Sequence, residues 1–304
     1  MPQQKSIYVI GSSNTDMVIK SDTLPLPGET VIGGDFLMNP GGKGANQAVS
    51  CAQLGGRVIF ISRVGNDLFG KQSLEHYQQQ HIDIQYISID ASLASGIALI
   101  NVDKQGENCI SVAPGANNSL TFTHVEKAFS SLQADDIVLV QLEIPFETVA
   151  QTVRMAHEKG AKVILNPAPA RALPDWLYPH LYLITPNETE ATLLTGIKVT
   201  DEATATAAAE RLIHKGCQNV IITLGSKGAL LKSKNYAGII PPPQVKAIDT
   251  TAAGDCFNGA LAVAIAEERP LEEAVRFANK AAAISVTRMG AQSSLPKRNE
   301  IVES

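Results

Sequence analysis

The stretch DTTAAGDCFNGA, Asp249–Ala260, decides how this chain is read. Small residues from Thr250 to Gly254 run into an apolar pattern of Phe257, Leu261, Ala264 and Ile265. That spacing is helical, so the turn predicts a helix whose N-terminus opens onto a small-residue loop. Backbone N–H groups left free at the positive end of a helix dipole bind anions. Asp255 sits inside that site, where a carboxylate repels an anion unless it has another task. Taking a proton from a hydroxyl, beside a phosphoryl group held by the N–H groups, is such a task. Alone, an Asp after a Gly turn reads more simply as a helix cap. The rest of the chain favours the chemical reading.

Outward from this loop, short apolar runs alternate with longer helical patterns. Ile7–Gly11, Val58–Ser62, Ile137–Gln141, Val163–Asn166, Leu181–Thr185 and Val220–Leu224 read as buried strands. Ala45–Leu54, Thr148–Lys159, Glu188–Thr195, Glu202–Lys215 and a closing Leu271–Thr287 read as helices. This order predicts an α/β fold, a doubly wound and mainly parallel sheet with helices on both faces. Asn14, Asp16, Glu143, Asn166, Asn187 and Thr223 then fall at carboxyl ends of strands, where open α/β sheets keep their ligand crevice. Two segments break the alternation. Met17–Met38 holds β-like residues around LPLPGE, and Ser95–Ala113 reads as a hairpin turning at Asp103–Gly106. They predict a small antiparallel sheet, read as a lid over the crevice or else as a decorative edge sheet, within one domain spanning 1–304; the lid segments are about 15–40 and 95–115.

Bulk composition narrows the function classes. The chain has 304 residues, 44% hydrophobic, 18% charged and 5% aromatic, with a net charge of −5 and no basic run. These values describe a globular protein and point away from nucleic acid and membrane surfaces as partners. Cys51, Cys109, Cys217 and Cys256 are far apart and, with no N-terminal signal pattern, read as free thiols of a cytoplasmic protein. The histidines show no zinc-ligand pairing.

A second glycine-rich element, PGGKGANQA at Pro40–Ala48, lets backbone approach a ligand closely and supplies Lys43 and Asn46. It fails both the Walker A spacing and G-x-G-x-x-G. With it, GGKGANQA at 41–48, RVGNDLFG at 63–70, NPAPA at 166–170, TPNETE at 185–190, TLGSKG at 223–228 and DTTAAGDCFNGA at 249–260 stand in one order. In that order they resemble the ribokinase branch of the carbohydrate kinase family that also holds fructokinases and adenosine kinases. The resemblance runs from Ile7 to about Pro296.

The resemblance implies ATP-dependent phosphorylation of a sugar hydroxyl, with D-ribose and its O5 as the expected acceptor. Asp255 matches the family's catalytic base, and the N–H groups of Ala252, Ala253, Gly254 and Asp255 match its anion hole. Asn14, Asp16, Gly42, Lys43, Asn46 and Glu143 match sugar-holding positions. Asn187, Thr223, Gly225, Ser226, Gly228, Gly254 and Asn279 match nucleotide positions. Standing alone, Asn187 and Glu190 read as a helix cap and an exposed helix charge; in the resemblance Glu190 completes an N-x-x-E element associated with magnesium and phosphate through bound water. Asp249, Thr251, Ser285, Arg288, Gly290 and Ser294 match a potassium site built mostly from backbone carbonyls. A homodimer through the lid is expected. Much of the wider family has Gly where Ala252 stands, so the loop is expected to use negative φ there.

Asn14 favours ribose, because a site built to bond a hydroxyl rejects the analogue that lacks it. The rival readings are a kinase for 2-deoxyribose, another free sugar or a nucleoside, and more remotely a sugar or nucleotide sensor without catalysis. The intact Asp255 and Gly254 speak against the sensor.

Overall fold

The computed structural model describes residues 5–301. Its strands are β1 (Ser6–Ile10), β2 (Asn14–Lys20), β3 (Asp35–Gly41), β4 (Arg57–Gly65), β5 (Ile87–Asp90), β6 (Gly96–Val102), β7 (Asn108–Ala113), β8 (Ile137–Val140), β9 (Lys162–Leu165), β10 (Leu183–Ile184), β11 (Asn219–Thr223), β12 (Ala229–Lys232) and β13 (Ala237–Ile240). Its α-helices are α1 (Lys43–Gln53), α2 (Leu68–Gln79), α3 (Phe122–Ala128), α4 (Phe146–Glu158), α5 (Glu188–Thr195), α6 (Glu202–His214), α7 (Ala253–Ala266) and α8 (Leu271–Ser285).

One nine-stranded sheet runs in the order β13-β12-β11-β10-β9-β8-β1-β4-β5. Its strands are parallel from β5 to β11, and β12 and β13 turn back antiparallel at one edge. Successive side chains leave a strand on opposite faces, and here both faces are covered. Ile7, Val9, Ile137 and Leu139 pack in the core with α1, α7 and α8. Tyr8, Ile10, Val138 and Val140 pack on the other side with α3, α4, α5 and α6. The strands therefore read as unbroken apolar runs. The expected doubly wound architecture is present.

Helix α7 is buried from Asp255 through Ala266, hydrophobic on every side as an inner helix must be. It packs closely on α1 because Gly259 has no side chain: a Cβ there would lie 2.5 Å from Ser50 Cβ. This contact brings Asn46 and Gln47 opposite Asp255.

A second sheet has the order β3-β2-β6-β7. It corrects the antiparallel expectation in one respect. The outer pairs are antiparallel hairpins, but the central pair of β2 and β6 is parallel. Both strands leave the carboxyl edge of the main sheet, β2 after β1 and β6 after β5, so they run the same way.

Other differences follow from weak local signals. The strand expected at Leu181–Thr185 contracts to Leu183–Ile184, and the last helix stops at Ser285. Helix α2 was not anticipated because it buries only Gly70, Ser73 and Tyr77, too sparse an apolar stripe. Also unanticipated were α3, β5, β12 and β13. Among the described residues, no helix is long and apolar enough to cross a membrane.

Candidate active site

The carboxyl edge of the main sheet gathers Glu143 beyond β8, Asn166 after β9, Asn187 after β10 and Thr223 at the end of β11. Helices α1 and α7 bring their N-termini to the same edge. The loop before α7 is tied at both ends. Asp249 Oδ1 accepts the N–H of Thr251 at 2.9 Å and its hydroxyl at 2.6 Å, while Oδ2 accepts the N–H of Gly290 at 2.8 Å.

Ala252 departs from expectation: its φ is 58° and its ψ 13°, the left-handed region, not negative φ. Left-handed backbone costs a non-glycine residue about 1 kcal/mol, and the ties at Asp249 on one side and the buried helix on the other impose it. Nor are all the expected N–H groups free, since that of Ala253 donates to Thr250 O at 3.2 Å. Those of Ala252, Gly254 and Asp255 donate to no protein group among the described residues. Successive N–H groups around a left-handed residue form a concave anion site, here backed by the α7 dipole. A Cβ on Gly254 would meet nothing within 4 Å. The missing side chain at Gly254 therefore leaves space for a ligand.

Asp255 is 6% exposed and both of its oxygens are held. Asn46 Nδ2 donates to Oδ2 at 3.0 Å, and Gln47 Nε2 donates to Oδ1 at 2.9 Å. Gln47 also donates to Asn166 Oδ1 at 3.0 Å and accepts from Gln141 Nε2 at 2.6 Å. With its oxygen turned to Gln141, Gln47 can offer Asp255 only its NH2 group. Burial pushes the Asp255 carboxyl up, against the pull of Lys43, Gln47 and Asn46. Its ionised form is thus a stronger base than a solvated carboxylate, as proton abstraction from a hydroxyl requires. Cys256, beside it, is no rival nucleophile, because burial pushes its thiol up to about 12.

The residues matched to the sugar converge around this base. Gly42 caps α1 with φ 88°, and a Cβ there would lie 2.8 Å from the Asn14 nitrogen, so glycine is required. Glu143 Oε2 accepts from Ser12 Oγ at 2.6 Å and from Lys43 N at 3.0 Å. Asn14 is buried and accepts from Asn117 Nδ2 at 2.7 Å. Asp16 is pushed up from 3.8 to about 6, mainly by burial and then by Glu143 and Asp255, with Lys43 opposing. Lys43 is itself pushed up, chiefly by Asp255. Carboxylates, amides and one ammonium thus share a small polar volume, the donor and acceptor set that a polyhydroxyl ligand satisfies.

On the other side of the loop lies a cavity of about 510 Å³ lined by Asn187, Thr223, Gly225, Ser226, Gly228, Gly254 and Asn279, all expected there. Pro242, Val245, Phe257, Ala283 and Val286 supply apolar walls that sequence reasoning missed. Such walls suit a flat heteroaromatic ring, with the polar residues fixing its orientation. A second cavity of about 250 Å³ holds Lys43, Asn166, Glu190 and Asp255, and shares Asn187, Thr223, Thr250, Ala253 and Gly254 with the first. The anion loop therefore divides, and joins, the two spaces.

Asn187 and Glu190 form a capping box on α5, with bonds of 2.8 and 2.9 Å. The cap uses Glu190 Oε2; burial pushes this carboxyl up, and it faces the smaller cavity. A hard, anionic oxygen beside the phosphate space fits a hydrated divalent ion. Of the residues matched to potassium, Asp249, Thr251 and Gly290 are bonded together, Ser285 and Ser294 are buried nearby on their own turns, and the Arg288 guanidinium pairs with Glu300. The carbonyls of Thr251, Arg288 and Gly290 accept no hydrogen bond from described residues, which suits a weakly held monovalent cation. No cluster of three or more His, Cys, Asp or Glu that could hold a metal occurs among the described residues.

Comparison with known proteins places the chain among carbohydrate kinases. The pfkB family of carbohydrate kinases matches residues 4–298. A ribokinase of Haemophilus influenzae is 45% identical, covering 99% of this chain and 98% of its own. A ribokinase of Bacillus subtilis is 42% identical, with 98% and 99% covered. A deoxyribokinase of Salmonella typhi is 36% identical, with 98% and 97% covered. Among solved structures, Thermotoga maritima ribokinase superposes with a TM-score of 0.88 at 42% identity, covering 98% of each chain. Arabidopsis thaliana ribokinase complexed with ribose and ATP superposes with a TM-score of 0.88 at 31% identity, again covering 98% of each.

Proposed function

The chain belongs to the pfkB family of carbohydrate kinases, and from that premise we propose that it transfers the γ-phosphoryl group of ATP to O5 of D-ribose, giving ribose 5-phosphate and ADP. One observation carries the reading: a buried carboxylate, held at both oxygens, opens the same helix whose free N–H groups line the smaller cavity, which joins the nucleotide-sized one at Gly254. Asp255 takes the proton from the attacking hydroxyl. The N–H groups of Ala252, Gly254 and Asp255 stabilise charge growing on the transferring group. Lys43, in the smaller cavity, adds positive charge beside the same loop.

Asn14, Asp16, Gly42, Asn46 and Glu143 hold the sugar, and the polar Asn14 favours ribose over 2-deoxyribose. ATP binds in the larger cavity, its base against Pro242, Val245 and Ala283. Glu190 would hold a magnesium ion through water, and that ion would neutralise phosphate charge. The carbonyls near Asp249 would hold potassium and stiffen the loop. The small sheet closes over the sugar as a lid of the single domain.

Register places Asn14, Asp16 and Ala98 on one face of this lid, and Ile19, Phe36, Met38 and Leu99 on the other. The second face is 44–60% exposed at those positions. A contiguous apolar face of this kind suits a second copy of the chain, giving a homodimer through the lid. The free thiols are in keeping with a cytoplasmic setting.

The test is the initial rate of ATP-dependent phosphorylation of ribose, 2-deoxyribose, fructose and adenosine, with magnesium, in potassium or choline. Ribose should lead and potassium should raise the rate. A strong preference for another acceptor would overturn the sugar assignment. Equal rates in choline would remove the cation.

A further inference from the structure

Asp255 takes part in a longer hydrogen-bond chain. Asn46, which donates to Asp255 Oδ2, accepts through its own Oδ1 from Gln292 Nε2 at 3.0 Å. Gln292 in turn accepts through Oε1 from His76 Nε2 at 2.8 Å. The links join α2, α1, α7 and the C-terminal loop. Gln292 and Asn46 are both buried, at 4% and 6% exposure.

Chemistry alone sets the direction of every link. An ionised Asp255 only accepts, so Asn46 must present its NH2 group to it. The amide oxygen of Asn46 then faces Gln292, which must answer with its own NH2. The Gln292 oxygen is left toward His76, whose Nε2 must carry a proton. His76 Nε2 is the donor of that link, because an amide oxygen can only accept.

We propose that Gln292 is a positioning residue for the base: it locks the Asn46 amide with its donor toward Asp255, and His76 locks Gln292. Asn46 lines the sugar site, where hydroxyls compete for either end of its amide. Without Gln292, nothing on that side would hold the amide in the orientation that supports the carboxylate. Gln292 also lies two residues beyond Gly290, which is bonded to Asp249 and through it to Thr251. One short loop therefore sets both the anion hole and the donor on the base. The proposal rests on Asp255 being that base.

Gln292→Met tests it, because methionine keeps the length of glutamine but neither donates nor accepts. The first readout is the titration of the Asp255 carboxyl, followed by carboxyl-¹³C NMR in the sugar-free protein. Lys43, Asp16, Glu143 and Glu190 face this carboxyl and stay unchanged in the variant. Losing an ordered donor moves the Asp255 titration upward by about half a unit or more. The second readout is turnover: kcat falls about tenfold while KM for ATP holds. His76→Leu shifts both readouts in the same direction by less, and His76→Gln, which restores an N–H donor, recovers most of that loss.

An Asp255 titration unmoved in Gln292→Met overturns the proposal, even if turnover or melting temperature drops. So does equal loss in His76→Leu and His76→Gln. Failure of the wild type to phosphorylate any sugar would instead sink the functional reading, and the titration would still report on the relay.

Discussion

The floor and the roof of the site are built from opposite materials. On the floor, Asn46, Gln47, Ser50, Asp255 and Asn258 are buried and bonded to one another or to the backbone of α7, across the close contact at Gly259. The roof is a small sheet with Ile19, Phe36, Met38 and Leu99 in the open, joined to the body by hydrogen-bonded ties at its base. One such tie is Asp67, which accepts from the N–H of Ser95 at 2.7 Å and from its hydroxyl at 2.7 Å. The difference suits the proposed division of labour: a base and an anion hole need fixed geometry, whereas a cover must admit and release a sugar.

The largest effect should come from the floor. Asp255→Asn keeps the shape and both amide neighbours but removes the proton acceptor, so kcat should fall about a thousandfold or more, with KM values within severalfold. Turnover within tenfold of wild type would break the contrast, since the floor would then carry no chemistry.

Asn14, at the seam between floor and roof, should act on selection. Asn14→Leu should lower kcat/KM for ribose by about 10–100-fold and change that for 2-deoxyribose little. Equal losses on both sugars would place Asn14 in scaffolding.

Asp16, on the underside of the roof, separates stability from binding. Its folded value of about 6 lies above the ordinary 3.8, so the folded state binds more protons between those pH values. Stability therefore falls as pH rises through that window, and the deficit is complete above about 6. Asp16→Asn should raise the melting temperature of the sugar-free protein by about 2–4 °C at pH 7.5. The gain should vanish near pH 4, as a melting series across pH would record. An unchanged or lower melting temperature at pH 7.5 would mean that this carboxylate carries no cost.

The outer face of the roof should matter least to chemistry. Phe36→Glu should shift sedimentation from dimer toward monomer and change kcat by less than about threefold. A large kcat loss with an intact dimer would mean that the outer face reaches the sugar.

How much of this was legible along the chain depended on locality. The helix that the small residues 250–254 lead into and the turn between β6 and β7 lie within a few residues of their causes. Helix α2 was missed because its stripe is thin and its cap, Asp67, is held partly by Ser95. Gln47 lies inside a motif whose glycines carry the local signal, and its role depends on Gln141 and Asn166 from two other strands' ends. Gln292 carried no sequence signal at all.

The alternation of apolar runs with helical patterns determined a parallel sheet covered on both faces, because period and burial are properties of adjacent residues. Asp255 among small residues at a helix start was legible for the same reason, as a carboxylate beside free backbone N–H groups. Only the tertiary structure decided that Ala252 turns left-handed, that β2 and β6 run parallel, and which amides grip the base. The grip on the base, for one, depends on groups far apart in the chain meeting, as Asn46 meets Asp255 at 3.0 Å. No local preference encodes such a meeting; packing of α1 on α7 creates it.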